Sequence, residues 1–302
     1  MIVLGLLLFN GLLLFGAIEV LGHMFDWLPV VNSWWISALI SLGVVILLAA
    51  VLHTPPGLWL LRLIVGARVA VTREHTRLDP VIEEVQQRIE QQLGKKPIAL
   101  HLMIEDDPML NAAALGKNTL ILTRGLYETA SQNELQAVIA HEMGHFHNGD
   151  SQRLATILGV NAIGFVIGGG LTLLTLLIGG IMNLFAAMKD KDGAGGIISL
   201  ILLPFVLIPM VLGWGVWLTY GGFNIALRIM GRREEYCADA FAVNLGYGGG
   251  LLSFLEKIKS MEFTGKKGVL QRLYETHPDP MFRIDRIDKA LAGDGVVAQE
   301  AL

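Results

Sequence analysis

Three stretches of the chain contain no Lys, Arg, Asp or Glu: Trp27 to Leu61, Leu154 to Met188, and Gly193 to Leu227. A fourth, shorter apolar run covers Met1 to Ile18, and Glu19 is the first charge. Each run can supply the roughly 20 apolar residues that a helix needs to cross about 30 Å of hydrocarbon. Core helices of soluble proteins rarely run so far without a charge, so the pattern predicts four transmembrane helices. The composition agrees: 17% of the residues are charged, against about 25% in a soluble domain. The first run lacks a basic leader, and "VLGHMFDW" offers no small-x-small cleavage site, so a retained span is expected there rather than a signal peptide.

The basic residues near the span ends are unevenly shared. Arg62, Arg68, Arg73, Arg77, Arg153, Arg228, Arg232 and Arg233 fall on one side; the other has Lys189 and Lys191, each offset by an aspartate in "KDKD". The positive-inside rule then predicts that both termini and the long polar segments are cytoplasmic, in a multi-pass protein of the plasma (inner) membrane. The net charge of −4 and the absence of a basic patch give no sign of a nucleic-acid partner. Cys237 is the one cysteine, which excludes an internal disulfide and any CxxC metal or redox motif.

Between the second and third runs lies a polar segment with its own patterning. "DPVIEEVQQRIEQQL" predicts an amphipathic helix with Asp79 as N-cap and Pro80 at its first position, ended by Gly94 and Pro97. "IALHLMI" (residues 98–104) predicts a strand, and "DDPMLNAAALGKNTLILT" a turn, an extended segment, a second turn at "GKN" and a further strand. Ser131 with Glu134 three residues on makes a capping box that starts a helix through "HEMGH". After the last run, "RIMGRREEYCADAFAVNLG" predicts a separate helix capped by Gly246; "GGGLLSFLEKIKSME" predicts another, and "THPDPMFRIDRIDKAL" a turn and a short terminal helix. The tail over 291–302 shows no role. Gly164 and Gly168 suit close helix packing in a bilayer.

On a helix, His141 and His145 lie four apart on one face, where both can aim a ring nitrogen at one metal ion. Glu142 is offset by about 100°, too far round for a natural ligand yet near enough to bond a water on the metal. This is the HExxH arrangement, in which zinc activates the water and the glutamate takes its proton as general base; the plain alternative is a surface helix with two solvated histidines. His147 points to another face and is expected to be a polar helix-end residue. A third ligand must come from elsewhere. "EYCAD" places Glu235 and Asp239 one turn apart, so Glu235 can ligate while Asp239 accepts a hydrogen bond from a ligand histidine. By spacing alone, a solvated acidic face beside Arg232 and Arg233 explains these residues equally well.

Taken together, the two N-terminal spans, "NAAALG", "HEMGHFHNGD", two further spans, "RREEYCAD" and "THPDPMFRI" resemble the HtpX-type membrane zinc metalloproteases, relatives of the CAAX prenyl proteases. The resemblance implies an α-helical membrane protein with an α+β zincin-like catalytic domain: four transmembrane helices, the HExxH helix and a small sheet with an exposed edge strand. It implies a transmembrane hairpin over 1–61, cytosolic catalytic parts over 62–153 and 228–302, and a second hairpin over 154–227. One zinc ion would be held by His141, His145 and Glu235, with Glu142 as general base and Asp239 supporting a ligand. His277 and Arg283 would meet the substrate backbone or the developing oxyanion. "NAAALG" would be the edge strand, with Asn111, Ala112, Ala113 and Gly116 binding an extended peptide by β-addition; Ala113 and Leu115 stand where the family commonly has Phe and Thr, and "HPDP" replaces the commoner "HPP". The implied function is zinc-dependent endopeptidase cleavage of unfolded or damaged membrane proteins, in quality control and stress response.

A site-2-type intramembrane protease would embed HExxH in an apolar span, whereas this motif follows "SQNELQ". A CAAX prenyl protease would have more spans. A catalytically silent, zinc-bound membrane scaffold or chaperone is the alternative from another class, and loss of cleavage on changing Glu142 with zinc retained would separate it.

Overall fold

The computed structural model describes residues 2–25, 34–187, 194–260 and 280–292. In chain order these form α1 (Ile2–Phe25), α2 (Trp34–Val51), α3 (Pro55–Val65), β1 (Arg68–Val69), α4 (Thr72–Leu93), β2 (His101–Glu105), β3 (Ala112–Leu115), β4 (Thr119–Thr123), α5 (Arg124–Thr129), α6 (Gln132–Asn148), α7 (Asp150–Ala187), α8 (Ala194–Asn244), α9 (Gly248–Ser260) and α10 (Pro280–Leu291). Among the described residues, α1, α2, most of α7 and most of α8 are long and apolar enough to cross a membrane. The chain divides into two compact units, Met1–Ala50 with Ile157–Leu227, and Val51–Thr156 with Arg228–Leu302.

The first unit is helical. Leu6, Val45, Ala49, Ile157, Val160, Val216 and Tyr220 form its interior, while leucines such as Leu8, Leu12, Leu176 and Leu218 face outward, as lipid-facing residues do. A polar cluster lies inside. The Asn10 amide donates to the Leu6 carbonyl at 2.8 Å and to Asn161 Oδ1 at 3.3 Å. Its oxygen accepts from the Tyr220 hydroxyl at 2.6 Å and from the Gly164 amide at 2.9 Å. A Cβ on Gly164 would fall 1.6 Å from the Tyr220 oxygen, so glycine there is a condition of the contact, in keeping with small residues at membrane helix interfaces.

The second unit is built on a four-stranded mixed sheet in the order β1-β2-β4-β3. β2 and β4 are parallel, β1 pairs antiparallel with β2, and β3 antiparallel with β4. β3 is therefore an edge strand. Its side chains alternate as a strand requires: Ala112 and Ala114 pack toward the cluster formed with α4, α6 and α9, Ala113 and Leu115 toward the one formed with α3.

Two helix boundaries differ from the sequence-based expectation. α4 begins at Thr72, not at Pro80, because Glu74 accepts the Val71 amide at 2.8 Å and is itself clasped by Arg68 at 2.6 and 2.9 Å. Pro80 then sits mid-helix on the exposed face, where the carbonyl it leaves unbonded can be hydrated. The helix expected after the last span is not separate: α8 runs unbroken from the apolar run through Asn244. Gly231 is the one weak former near the expected start, and a lone interior glycine costs only about 1 kcal/mol.

Candidate active site

α6 starts as its capping box dictates: Ser131 Oγ accepts the Glu134 amide at 3.3 Å and the Glu134 carboxylate accepts the Ser131 amide at 2.8 Å. Ser253 and Lys257 of α9 bond the same carboxylate at 3.0 and 3.1 Å, tying α9 across the start of α6. The helix places His141, Glu142 and His145 in the interior, all under 10% exposed. Gly144 lets another helix close on that face: a Cβ there would stand 3.0 Å from the Cα of Ala238. This approach brings Glu235 and Asp239 of α8 onto the histidines.

The donors converge. His141 Nε2 lies 3.4 Å from Glu235 Oε2 and His145 Nε2 lies 3.2 Å from Glu235 Oε1. One donor atom from each of these three residues falls within 4.8 Å of the others. The far ring nitrogens are held by carboxylates: His141 Nδ1 is 3.0 Å from Asp239 Oδ1, and His145 Nδ1 is 3.1 Å from Asp150 Oδ2. With Nδ1–H donating outward, each Nε2 keeps its lone pair for the centre. Arg283 of α10 donates to Asp239 at 2.6 and 2.9 Å and stands 3.1 Å from Glu235 Oε2.

Charge explains what such a cluster would hold. Four buried carboxylates (Glu142, Asp150, Glu235, Asp239) face one buried guanidinium, Arg283. In the metal-free fold the imbalance falls on the imidazoles. Burial pushes both down, and Arg283 adds to this at His141. Asp239 and Glu235 at His141, and Asp150 and Glu235 at His145, more than offset it, so both titrate above 6.5, His145 well above. A divalent cation would answer the same excess, and two imidazoles with one carboxylate are a donor set for zinc.

Glu142 opens onto a small cavity lined by Asn111, Ala112, Val138, His141, Leu251, Phe254 and Arg283. β3 thus begins beside the glutamate. Asn111 is buried; its side-chain oxygen accepts the Ala112 amide at 2.9 Å, and its own amide donates to Thr123 Oγ1 at 2.9 Å. Ala113 follows in the strand and Gly116 turns the chain into the β3–β4 hairpin with φ 61°. His277 lies outside the described residues. His147 stands apart from the centre, its ring stacked on Phe241 at 5.7 Å.

Three contributions were not predicted from sequence. Asp150 reaches His145 because Gly149, at φ 77°, reverses the chain between α6 and α7; "HNGD" carried that signal, since glycine is the usual left-handed residue after a helix. Gly144, inside a helix that has no need of it, was the second. The third, the cavity wall from Leu251 and Phe254, is visible only once α9 is seen to pack on α6.

The sequence profile of peptidase family M48 matches residues 72–291. Protease HtpX of Shewanella halifaxensis (strain HAW-EB4) is 30% identical over 212 residues, covering 68% of this chain and 68% of that protein. The Protease HtpX homolog of Dictyoglomus turgidum is 32% identical over 211 residues, covering 62% of each. The crystal structure of S. mikatae Ste24p aligns with a TM-score of 0.46 and 19% identity over 90% of this chain and 62% of that one, a likeness too slight to bear on the argument. Four membrane-length helices, a buried HExxH site and a profile match over most of the length coincide in one molecule: the chain belongs to peptidase family M48 and is a multi-pass membrane metalloprotease of the HtpX type.

Proposed function

We propose that the chain is a zinc-dependent endopeptidase that cleaves unfolded or damaged membrane proteins, with His141, His145 and Glu235 as ligands and Glu142 as general base. The observation that carries this reading is the convergence of those three donors within 4.8 Å beside a glutamate that opens onto the start of the edge strand. A zinc ion held there would supply Lewis acidity, lowering the pKa of water and polarising the scissile carbonyl.

The rest is done by the chain. Asp239 and Asp150 fix the imidazole tautomers, and Arg283 holds Asp239 and Glu235 in place while facing the cavity. An extended peptide adds to β3 through main-chain hydrogen bonds, which accept many sequences, as suits substrates recognised by being unfolded. Asn111, Ala112, Ala113 and Gly116 define that edge. Glu142 takes the proton of the attacking water and returns it to the leaving amine. The apolar walls Val138, Leu251 and Phe254 exclude bulk water around it. His277 and Arg283 are the candidates to meet the substrate backbone or the developing negative charge. The basic residues flanking the spans favour a cytoplasmic position for this unit; an alkaline phosphatase fused after Leu302 should then be inactive in cells.

The test is cleavage of an unfolded model protein by purified, zinc-loaded chain and by its Glu142→Gln variant. Loss of roughly two to four orders of magnitude in rate, with zinc content unchanged, is the expected result. Equal rates would reject Glu142 as the base; inactivity of both across several substrates would favour a scaffold.

A further inference from the structure

α3 is apolar on two opposite sides, and only one is covered. Gly57, Leu58, Leu61 and Val65 are buried, against Met103, Leu115 and Ile121 of the sheet and Ala155. Trp59, Leu63 and Ile64 are 62%, 61% and 60% exposed, and Leu60 is exposed with them. No polar side chain interrupts this second face. The one charge on the helix, Arg62, turns the other way and donates to Thr119 Oγ1 at 3.0 and 2.8 Å. A helix facing water would carry polar residues there.

We propose that α3 is an in-plane membrane helix, with the bilayer's interfacial layer as the partner of its bare face. The chain itself sets its height. α2 ends at Val51 and α3 starts at Pro55, and three residues span at most about 10 Å. The link is shorter than that limit, because the Thr54 amide and hydroxyl both fold back onto the Val51 carbonyl, at 2.9 and 2.6 Å. The helix therefore begins close to the end of a membrane-spanning segment, within reach of an interfacial layer some 5–8 Å deep. Tryptophan is the residue favoured at that level, and an interfacial helix lays its apolar side toward the acyl chains. Here the side that is usually polar is replaced by the sheet.

That replacement has a consequence. Leu58 sits so close to Gly116 that a Cβ there would lie 2.4 Å from Leu58 Cδ2, and Leu115 at the end of β3 packs on the same helix. α3 thus stands between the lipid and the edge strand, with one helix thickness, ~10 Å, separating the strand from the acyl chains. On the reading of β3 as the peptide-binding edge, segments leaving the bilayer meet it at once.

The experiment uses the full chain in lipid nanodiscs. Cys237, the one native cysteine, is changed to Ser, and an environment-sensitive fluorophore is placed at Leu63→Cys or, independently, Ile64→Cys. Gln87→Cys, exposed on α4, is the aqueous reference, and Leu212→Cys, exposed in the apolar run of α8, is the lipid reference. The probes at 63 and 64 should emit to the blue of the one at 87 and be quenched by lipids spin-labelled near the headgroup more than by lipids labelled at the chain end. Emission and quenching matching position 87 would overturn the proposal. So would a blue shift without lipid quenching but with energy transfer between labelled copies, which would assign the face to a second chain. Two labelled positions guard against one variant misfolding, and neither lies in the candidate active site.

Discussion

Both units bury a polar cluster, and the two clusters are built on opposite principles. In the first unit Asn10, Asn161, Tyr220 and the Gly164 amide are neutral and bond to one another. Asn10 bridges the others and gives its remaining amide hydrogen to the Leu6 carbonyl, so the cluster works as a fastener between α1, α7 and α8. In the second unit the groups are charged, carboxylates outnumber the guanidinium, and three donor atoms point at each other rather than away. Three converging electron-pair donors are costly to bury unless a proton or a cation stands between them. The first cluster ties helices together; the second gathers donor atoms that one cation could share.

That contrast can be broken by substitution. The largest effect is expected from Arg283→Met, which strips the guanidinium from Asp239 and Glu235; removing one partner of a buried ionic group costs about 3–5 kcal/mol. Hydrogen exchange in α6 and α10 of the metal-free chain would report it, and protection equal to the parent's would mean that charge does not hold this cluster together. Asp150→Asn should leave the fold intact but weaken metal affinity by about 10–100-fold, since the His145 imidazole loses its carboxylate. Chelator competition measures this, and an unchanged affinity would demote Asp150 to a helix-start residue.

The pH response should separate the clusters further. Because both imidazoles titrate above 6.5 in the metal-free fold, the native state retains protons that the unfolded chain has lost. Their stabilising contribution is full below the unfolded value and disappears as pH rises through the folded ones. Protons also compete with metal for the ligand nitrogens. Metal-free protection of α6 should therefore fall as pH rises above the ordinary imidazole value of about 6.5, while metal affinity climbs; protection around Asn10 should not change. The smallest effect belongs to the neutral cluster: Tyr220→Phe removes one membrane hydrogen bond, worth about 0.6 kcal/mol, and denaturant titration in mixed micelles would read it. A loss as large as that of Arg283→Met would erase the distinction.

Much of this was legible in sequence where a local rule acts alone. The charge-free runs, the Ser131–Glu134 box, the "GKN" hairpin turn and the placement of His141 and His145 on one helix face each follow from residues within one turn or one span of each other. What escaped depends on side-chain partners and backbone angles that residue spacing does not carry. The start of α4 is decided by Arg68 gripping Glu74, which outweighs the preference of Pro80 for a first turn. Spacing alone balances Glu235 between ligand and solvated face, and only the resemblance chose between them; its burial beside the histidines depends on Gly144, where α8 closes on α6. Asp150 was hidden because its direction is set by the backbone angle of Gly149 rather than by its own spacing from His145.

The continuity of α8 turns residue number into angle. With no break between Glu235 and Asn244, one residue added between Glu235 and Asp239 would swing one carboxylate about 100° around the axis relative to the other and move it about 1.5 Å along it. No loop lies between the two to take up the change. A single alanine inserted after Tyr236 should accordingly part the two carboxylates and weaken metal binding, whereas one inserted in the tail after Leu291 should leave it unchanged.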